Sequence, residues 1–251
     1  MKDIKLLAEG IDALRQSDKD IDRLIGPRSE KVISQLTGYI NEIELFNAAY
    51  GLVGAADTEE LVIKHILDSL APLGIILRLL AVNCLAVNCP TVNCLTETNA
   101  ANRPQIADVG SGAGLPGIPL AIAMPNSDFT LIERMGRRVG FLLNTKASLG
   151  ISNITVEEGE LEKTASERFH LVTFRAFKPL DSKLLKTLFK TCAKEGIIAA
   201  YKGRREKIEQ ETAPLTELAP PWECNKWEIT PYTVPFLDEE RHLLVIKTQK
   251  T

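Results

Sequence analysis

The residues best suited to holding a small ligand are three alternating glycines between two apolar runs. Gly110, Gly112 and Gly114 follow an apolar run that ends at Asp108 and Val109. Glycines are needed in such a turn because the backbone must adopt conformations that a Cβ forbids and must come close to a ligand. The N–H groups at the start of the following helix then face that ligand. The segment therefore predicts a strand, a tight turn and a helix around a bound molecule.

The glycine spacing alone fits two classes of cofactor. Gly112, Gly114 and Gly117 have the spacing of a dinucleotide-binding turn. The three alternating glycines, preceded by Asp108, instead have the spacing found in enzymes that use S-adenosylmethionine (AdoMet). A carboxylate at this place repels a pyrophosphate and attracts a sulfonium cation. Only 118 residues follow Glu133, and further strands and helices use them all, which leaves no room for a dehydrogenase substrate domain.

Charged residues stand at the ends of several predicted strands. Glu133 ends the second strand, 23 residues after the first glycine, near the spacing at which a carboxylate accepts hydrogen bonds from a ribose. Arg175 ends the fourth strand and Lys202 ends the fifth. Ligands bind in open α/β sheets outside the carboxyl ends of the strands. We therefore expect these three side chains to lie at one ligand-binding edge.

A His, an Asp and a Ser share one face of a predicted helix in the first third of the chain. They are His65, Asp68 and Ser69, at the three- to four-residue spacing of neighbours on a helix surface. These are the residue types of a catalytic triad, but one helical turn cannot place a nucleophile, a base and an orienting group in line. We expect this face to cap, pack or contact a substrate.

The elements that precede the glycine segment are predicted to be helical. Apolar residues at helical spacing indicate amphipathic helices over residues 4–24 and 29–46, the second with Ser29 as its N-cap. Asp57 and Glu60 have the spacing of a capping box that begins a third helix. This third helix must position the His, the Asp and the Ser.

Strands and helices alternate from residue 105 onward. The predicted strands cover residues 106–109, 129–132, 154–156, 171–174, 197–201, 227–234 and 243–247. The predicted helices cover residues 118–124, 137–149, 180–192 and 204–218. This alternation indicates right-handed crossovers and a mostly parallel sheet, whereas the short last connection requires an antiparallel pair. The predicted fold is α/β and Rossmann-like, a mostly parallel seven-stranded sheet with an antiparallel last strand, plus N-terminal helices.

Residues 80–95 contain three five-residue copies that each end in Asn-Cys. Three short copies cannot bury a core of their own, so we interpret the segment as an insertion loop. Its cysteines stand five residues apart, which matches neither a zinc site nor a redox pair, and no metal site is predicted. The expected organisation is a helical region at 1–79, an insertion loop at 80–104 and an AdoMet-binding domain at 105–251.

The overall charge does not favour a polyanionic partner. The formal net charge is −3, so any RNA binding must come from local basic patches. The sequence has no apolar run of about 18 residues, and its N-terminus is too charged for a secretory signal, so a cytoplasmic protein without membrane spans is expected. The two candidate basic patches are Arg134, Arg137, Arg138 and Lys146, and Lys202, Arg204, Arg205 and Lys207.

The glycine segment and its surroundings resemble a bacterial enzyme family. The run Asp-Val-Gly-Ser-Gly-Ala-Gly-Leu-Pro-Gly-Ile-Pro from Asp108, with Phe-Thr-Leu-Ile-Glu at 129–133, is similar to the guanine-N7 methyltransferases of small-subunit ribosomal RNA, the RsmG (GidB) family. Further matches lie at 64–70, 137–142, 175–177, 201–203 and 240–243. The resemblance implies a class I AdoMet-dependent methyltransferase fold and AdoMet as the cofactor. No catalytic acid or base is assigned, because guanine N7 already carries a lone pair.

The resemblance also implies contacts for individual residues. It places Gly110 and Leu115 against AdoMet and Glu133 near the ribose. It places Leu161 and Glu162 beside the adenine and Arg175 near both the cofactor and the target base. Together with the glycine pattern, the expected cofactor residues are Asp108, Gly110, Gly112, Gly114, Leu115, Glu133, Leu161, Glu162 and Arg175. The expected substrate residues are His65, Asp68, Ser69, Arg175 and Lys202.

The sequence therefore predicts a methyltransferase that modifies guanine N7 in small-subunit ribosomal RNA. We expect a monomer that acts on RNA within a ribosomal subunit or an assembly intermediate. One alternative is an AdoMet-dependent enzyme for a small molecule, which needs a closed apolar pocket without a basic surface around it. A second is a non-catalytic RNA-binding or assembly factor that binds the cofactor without methyl transfer. A nicotinamide dehydrogenase fits least well.

Overall fold

The computed structural model describes residues 2–85, 103–216 and 227–248. Within these ranges one seven-stranded sheet forms the centre of the molecule. The strands are β1 (Gln105–Val109), β2 (Asp128–Glu133), β3 (Ile154–Glu158), β4 (Phe169–Arg175), β5 (Cys192–Lys202), β6 (Trp227–Tyr232) and β7 (Arg241–Lys247).

The strand order is β3-β2-β1-β4-β5-β7-β6. Strands β1 to β5 are parallel, and β7 pairs antiparallel with both β5 and β6. The predicted sheet, mostly parallel with an antiparallel last strand, is confirmed. The strand order reverses between β1 and β4. In such a sheet, a ligand is expected in the crevice at the carboxyl ends of these two strands.

Helices surround the sheet and also form the N-terminal part of the chain. They are α1 (Lys2–Ser17), α2 (Lys19–Ile25), α3 (Ser29–Tyr50), α4 (Thr58–Leu61), a π-helical segment (Val62–Leu67), α5 (Asp68–Leu70), α6 (Leu73–Leu85), α7 (Gly117–Ala123), α8 (Gly136–Ser148), α9 (Ser182–Thr191) and α10 (Arg205–Thr216). Single 3₁₀ turns cover Gly26–Arg28 and Leu161–Lys163.

The helix starts in the N-terminal part differ in two places from the predictions. The first predicted helix is two helices, because Asp18 lies between them and its side chain accepts a hydrogen bond from the Asp20 N–H. Ser29 is not an N-cap, since the 3₁₀ turn runs directly into α3 at this residue. Asp57 is confirmed as an N-cap, because its Oδ1 accepts from the Glu60 N–H at 2.8 Å, and Glu60 Oε2 reaches back to the Ala56 N–H at 2.7 Å, one residue before the N–H of a regular capping box.

Helix α6 shows that the predicted boundary of the insertion loop at residue 80 is wrong. The helix continues to Leu85, so residues 80–85 are helical. Leu73, Ile76, Leu77 and Leu80 are buried, so apolar packing holds the helix as far as the first residue of the repeat. The rest of the predicted loop up to residue 102, including Cys89 and Cys94, lies outside the described residues.

The core has two parts, one on each face of the sheet. The first part contains Ile106 of β1 together with buried residues of α1 to α8, and the second contains Ala107 and Val109 with α9 and α10. The N-terminal helices therefore share one continuous core with the sheet and form a layer of the same structural unit. Within the described ranges, the structure has no helix with the length and apolar character needed to cross a bilayer.

Candidate functional site

The glycine turn brings backbone close to an aromatic side chain at the carboxyl end of β1. Gly110 has a φ of +67°, and its N–H donates to Ile132 O at 2.9 Å. A Cβ added at this glycine would stand 2.1 Å from Cδ2 of Phe177, a distance that no real contact allows. Helix α3 supports the far side of the turn, where Tyr39 donates its hydroxyl to Ala113 O at 2.6 Å.

Asp108 lies beneath the turn and stabilises it from inside the protein. Its Oδ2 accepts from the Gly117 N–H at 3.0 Å, whereas no described group donates to its buried Oδ1. Burial raises the pKa of this carboxyl from 3.8 to about 7. Because the side chain is fully buried, its place in the structure is that of a support for the turn.

Glu133 connects the end of β2 to the glycine turn. Its Oε2 accepts from the Gly112 N–H at 2.9 Å, and its Oε1 accepts from the N–H groups of Arg134 and Met135 at 2.8 and 2.9 Å. The carboxylate is almost entirely buried at the cavity wall. These hydrogen bonds hold the carboxylate in a fixed orientation, as expected for a group that accepts hydrogen bonds from a sugar.

A cavity of about 490 Å³, here called the small cavity, opens above the ends of β1, β2 and β4. Four of the expected cofactor residues line it, namely Gly110, Glu133, Leu161 and Glu162. The described lining does not include Gly112, Gly114 or Leu115. Leu115 is 6% exposed and packs into the core, so the structure places it behind the turn.

A second cavity of about 740 Å³, here called the large cavity, lies between the N-terminal helices and the ends of β4 to β7. His65, Asp68, Arg175 and Lys202 line it, as expected for substrate residues. Ser69 is fully buried, and its hydroxyl donates to His65 O at 2.6 Å within its own helix. The structure therefore brings four of the five expected substrate residues together and leaves Ser69 in the helix interior.

Arg175 is held by one turn of the N-terminal helical layer. Its Nη1 donates to Lys64 O at 3.2 Å and to Asp68 Oδ2 at 3.1 Å. Its Nη2 lies 2.9 Å from His65 Nδ1, which must accept because a guanidinium only donates. His65 is therefore neutral, in agreement with a pKa lowered to about 4 by burial and by the Arg175 charge. These contacts set the orientation of Arg175 at the cavity wall.

Asp68 receives donors from three strands. Besides Arg175 of β4, the hydroxyl of Tyr232 in β6 donates to Oδ1 at 3.1 Å, and Arg241 Nε of β7 lies 3.4 Å from the same oxygen. The Asp68 side chain is only 5% exposed. One carboxylate thus connects the N-terminal helical layer to strands β4, β6 and β7 at the large cavity. The π-helical segment immediately before it is a departure from α geometry that is frequent at functional sites.

Lys202 is paired across the large cavity with an acidic residue of α10. Its Nζ lies 2.8 and 2.7 Å from the two carboxylate oxygens of Glu211. Next to it, the Tyr201 hydroxyl donates to Ser69 O at 2.8 Å. The charge of Lys202 is therefore balanced inside the protein.

The two cavities share one wall. Ala176, Phe177 and Lys178 line both of them, and Lys178 Nζ lies 5.1 Å from the centre of the Phe177 ring. A group bound in the small cavity and a group bound in the large cavity would therefore meet across the segment that follows β4. Such an arrangement suits transfer between a cofactor and a substrate, because it holds both reactants near one another.

Comparisons with known proteins identify the family of the chain. The family described as rRNA small subunit methyltransferase G, or GidB, matches residues 87–249. The chain belongs to this family. It is 37% identical over 233 residues to the ribosomal RNA small subunit methyltransferase G of Treponema denticola, which covers 89% of each chain. Its identity to that of Treponema pallidum strain Nichols is 35%, with 97% of this chain and 93% of the relative covered.

A relative with lower identity also aligns with most of the chain. The ribosomal RNA small subunit methyltransferase G of Vibrio atlanticus is 31% identical over 242 residues, which is 94% of this chain and 99% of that one. The GidB match includes every strand of the sheet and both basic patches predicted from the sequence. The family membership and the sheet thus confirm the predicted family and the methyltransferase fold.

Three residues at the cavities were not predicted from the sequence to line them, although Arg138 was named as part of a basic patch. Tyr232 and Arg241 line the large cavity and contact Asp68, and Arg138 lines the small cavity with its Nη1 3.8 Å from the Cβ that Gly112 lacks. Arg138 and Arg241 lie inside segments that matched the family by sequence, which was the available signal. Tyr232 had none, because its partner Asp68 is 164 residues away in the chain.

Proposed function

We propose that this protein transfers a methyl group from AdoMet to N7 of a guanine in small-subunit ribosomal RNA. The observation that carries the proposal is the shared wall of the two cavities, with a cavity lined by Gly110 and Glu133 on one side and a cavity lined by Arg175 and Lys202 on the other. Membership of the rRNA small subunit methyltransferase G family supports ribosomal RNA as the substrate class.

The residues of the small cavity fit AdoMet. Gly110 lines this cavity, and the missing Cβ lets the Phe177 ring of the shared wall pack directly against the glycine turn. Glu133 offers a fixed carboxylate for ribose hydroxyls, and Leu161 and Glu162 lie where an adenine would contact apolar and polar groups. When bound, AdoMet supplies a methyl group made electrophilic by its positive sulfur.

The protein's own part in the reaction is to align AdoMet with the guanine and to enclose both of them. Guanine N7 carries a lone pair, so no side chain needs to remove a proton before the methyl group is accepted. Arg175 and Lys202 suit the guanine O6, since arginine and lysine donate to the O6 edge of guanine. Phe177 excludes water from the space between the cavities and adds an apolar surface beside the base.

The proposal extends to the partner and the compartment. With a net charge of −3, the protein has no overall positive field that would attract free RNA. We therefore propose that it acts on RNA within a ribosomal subunit or an assembly intermediate. We also propose that it is a cytoplasmic monomer. Similar methylation rates on protein-free RNA and on assembled subunits would contradict the need for a subunit or an assembly intermediate.

The test is methyl transfer from labelled AdoMet to small subunits that lack their own guanine-N7 mark, followed by nuclease mapping of the label. We expect a single labelled 7-methylguanine. A Gly110→Asp variant is the control, because its side chain would meet Phe177 and place a charge in the glycine turn. This variant should bind no AdoMet and transfer no label.

The remaining outcomes separate the alternatives. AdoMet binding without label in any RNA would favour a small-molecule methyltransferase or a non-catalytic factor. Calorimetry that detects no AdoMet binding would contradict the interpretation of the small cavity. Label at a guanine atom other than N7 would contradict the proposed position only.

A further inference from the structure

Six exposed cations lie at the carboxyl edge of the sheet, around the two cavities. They follow three strands that run parallel, β2, β4 and β5, so all six are at the same edge. We call this set the basic rim. Its members are Arg134, Arg137, Lys178, Lys183, Arg204 and Lys207.

The rim cations have no acidic partner in the part of the chain that the structure describes, where no carboxylate oxygen comes within 4.0 Å of them. Of the remaining members of the two basic patches, Arg138 also has no carboxylate partner among the described residues, but it is only partly exposed and lines the small cavity. Lys202 is paired with Glu211, and Arg205 with Glu209. Lys146 stands in the last turn of α8, at the opposite edge of the sheet. The structure thus separates available positive charge from charge that the protein already balances.

Three of the rim cations lie at helix N-termini, where positive charge is unfavourable. Arg137, Lys183 and Lys207 lie in the first turns of α8, α9 and α10. Cations stabilise the C-terminal end of a helix and oppose the partial positive charge at its N-terminal end. Helix α8 has no acidic residue at its start to offset this, whereas α9 has Asp181 as its N-cap and α10 has Glu206 in its first turn. An anion bound at this edge would relieve the repulsion.

The dimensions of the rim fit a polyanionic strand. Strands β2 and β5 are separated by β1 and β4, which puts their ends about 15 Å apart at the usual spacing of neighbouring strands. A nucleic acid strand carries a charge every few ångströms, so several phosphates fit over this length. Lys178 and Lys183 also line the cavity walls, which connects the rim to the site.

The opposite border of the large cavity is acidic. The connection between β6 and β7 exposes Asp238, Glu239 and Glu240. Glu239 is engaged with Lys64 and Arg241, and Glu240 accepts from the Arg205 N–H at 3.4 Å. The connection thus carries carboxylates and no rim cation, and the contact of Glu240 with Arg205 places the limit of the basic surface beside the start of α10.

We propose that the basic rim binds the phosphate backbone of the RNA on both sides of the target guanine, whereas the β6–β7 connection stays off the RNA. The inference rests on the proposed function and specifies the surface that its substrate contacts. The RNA backbone runs across the helix starts of α8, α9 and α10, and the guanine enters the large cavity from that side.

The experiment uses a triple variant of rim residues that line neither cavity, Arg137→Gln, Arg204→Gln and Lys207→Gln. The matched control changes three cations at the opposite edge, Lys146→Gln, Lys190→Gln and Lys194→Gln. Binding to unmethylated small subunits is measured at several salt concentrations. Each lost phosphate contact lowers the slope of log affinity against log salt by about 0.7–0.9. We therefore expect the rim variant to lose about 2–3 units of slope and the control to lose none.

Three further readouts make the result specific. The rim variant should keep its AdoMet affinity, its kcat at saturating subunits and a melting temperature at least as high as that of the wild type, while its KM for subunits rises. Equal slopes for the rim variant and the control would overturn the proposal. If the wild type has a steeper salt slope than the rim variant but transfers no methyl group, the basic rim is supported and the proposed function is contradicted. Failure of the rim proposal and failure of the proposed function are therefore distinguishable.

Discussion

At the scale of single residues, two glycines differ sharply in what a methyl group would meet. A Cβ at Gly110 collides with Phe177 at a φ of +67°, whereas a Cβ at Gly140 in α8 has no neighbour within 4 Å. We expect Gly110→Ala to lower the free energy of unfolding by more than about 1 kcal/mol, the strain of a left-handed alanine, and to weaken AdoMet binding. Denaturant unfolding and calorimetry measure the two effects.

Gly140→Ala is the matched control for that change. Glycine in a helix interior is less favourable than alanine by roughly 0.5–1 kcal/mol, so this variant should unfold at higher denaturant and keep full activity. If both substitutions had the same effect on AdoMet binding, the close approach of Phe177 to the glycine turn would not matter for the cofactor.

At the scale of elements, Asp68 joins the N-terminal helical layer to strands β4, β6 and β7. Asp68→Asn removes the charge that balances Arg175 and Arg241, and losing one partner of a buried ion pair costs about 3–5 kcal/mol. Tyr232→Phe removes one hydrogen bond to the same carboxylate and leaves both arginines paired, at a cost of about 1.5–3 kcal/mol for a bond to a charged group.

The two variants should therefore differ in activity as well as in stability. We expect Asp68→Asn to lose most methyl transfer at a temperature where it is folded, because Arg175 loses its ionic partner and keeps only Lys64 O and His65 Nδ1. Tyr232→Phe should keep most of the activity. Kinetics and denaturant unfolding of both variants check this. Equal activity of the two would show that Asp68 does not position Arg175.

At the scale of the whole molecule, burial of Asp108 makes the stability depend on pH. Its pKa is about 7 in the folded protein and about 4 in an unfolded chain, so the unfolded chain loses the proton first as the pH rises. This group therefore stabilises the fold fully below pH 4, and the contribution is lost between pH 4 and 7. Asp108→Asn should gain stability relative to the wild type over this range, on the order of 4 kcal/mol.

His65 gives the opposite trend, which is why the comparison must be made at each pH. Its pKa is lowered to about 4 on folding, so its contribution is lost as the pH falls from 6.5 toward 4. Unfolding of the wild type and of Asp108→Asn at matched pH values cancels the His65 contribution. A stability difference that stays constant from pH 4 to 7 would contradict the raised pKa of Asp108.

Local patterns in the sequence determined the sheet, the glycine turn and the N-cap at Asp57. The turn and the cap depend on residues close together in the chain, namely a φ that glycine adopts easily and a side chain that reaches an N–H three residues ahead. The strands of the sheet were predictable because each has its own local apolar pattern. The charged residues at strand ends were also predictable, because parallel strands end at one edge whatever covers the sheet. Glu133, Arg175 and Lys202 lie at that edge as expected.

Only the tertiary structure decided how these residues are used. Asp68 contacts Arg175 and Tyr232 across 107 and 164 residues, and no local signal encodes contacts of that separation. Long-range packing likewise held α6 as far as Leu80, buried Ser69 and Leu115, and divided the basic residues into paired and available cations. Residue types and their spacing thus determined the chemistry available to this protein, and three-dimensional packing decided which groups face the cavities, because burial and pairing depend on the whole chain.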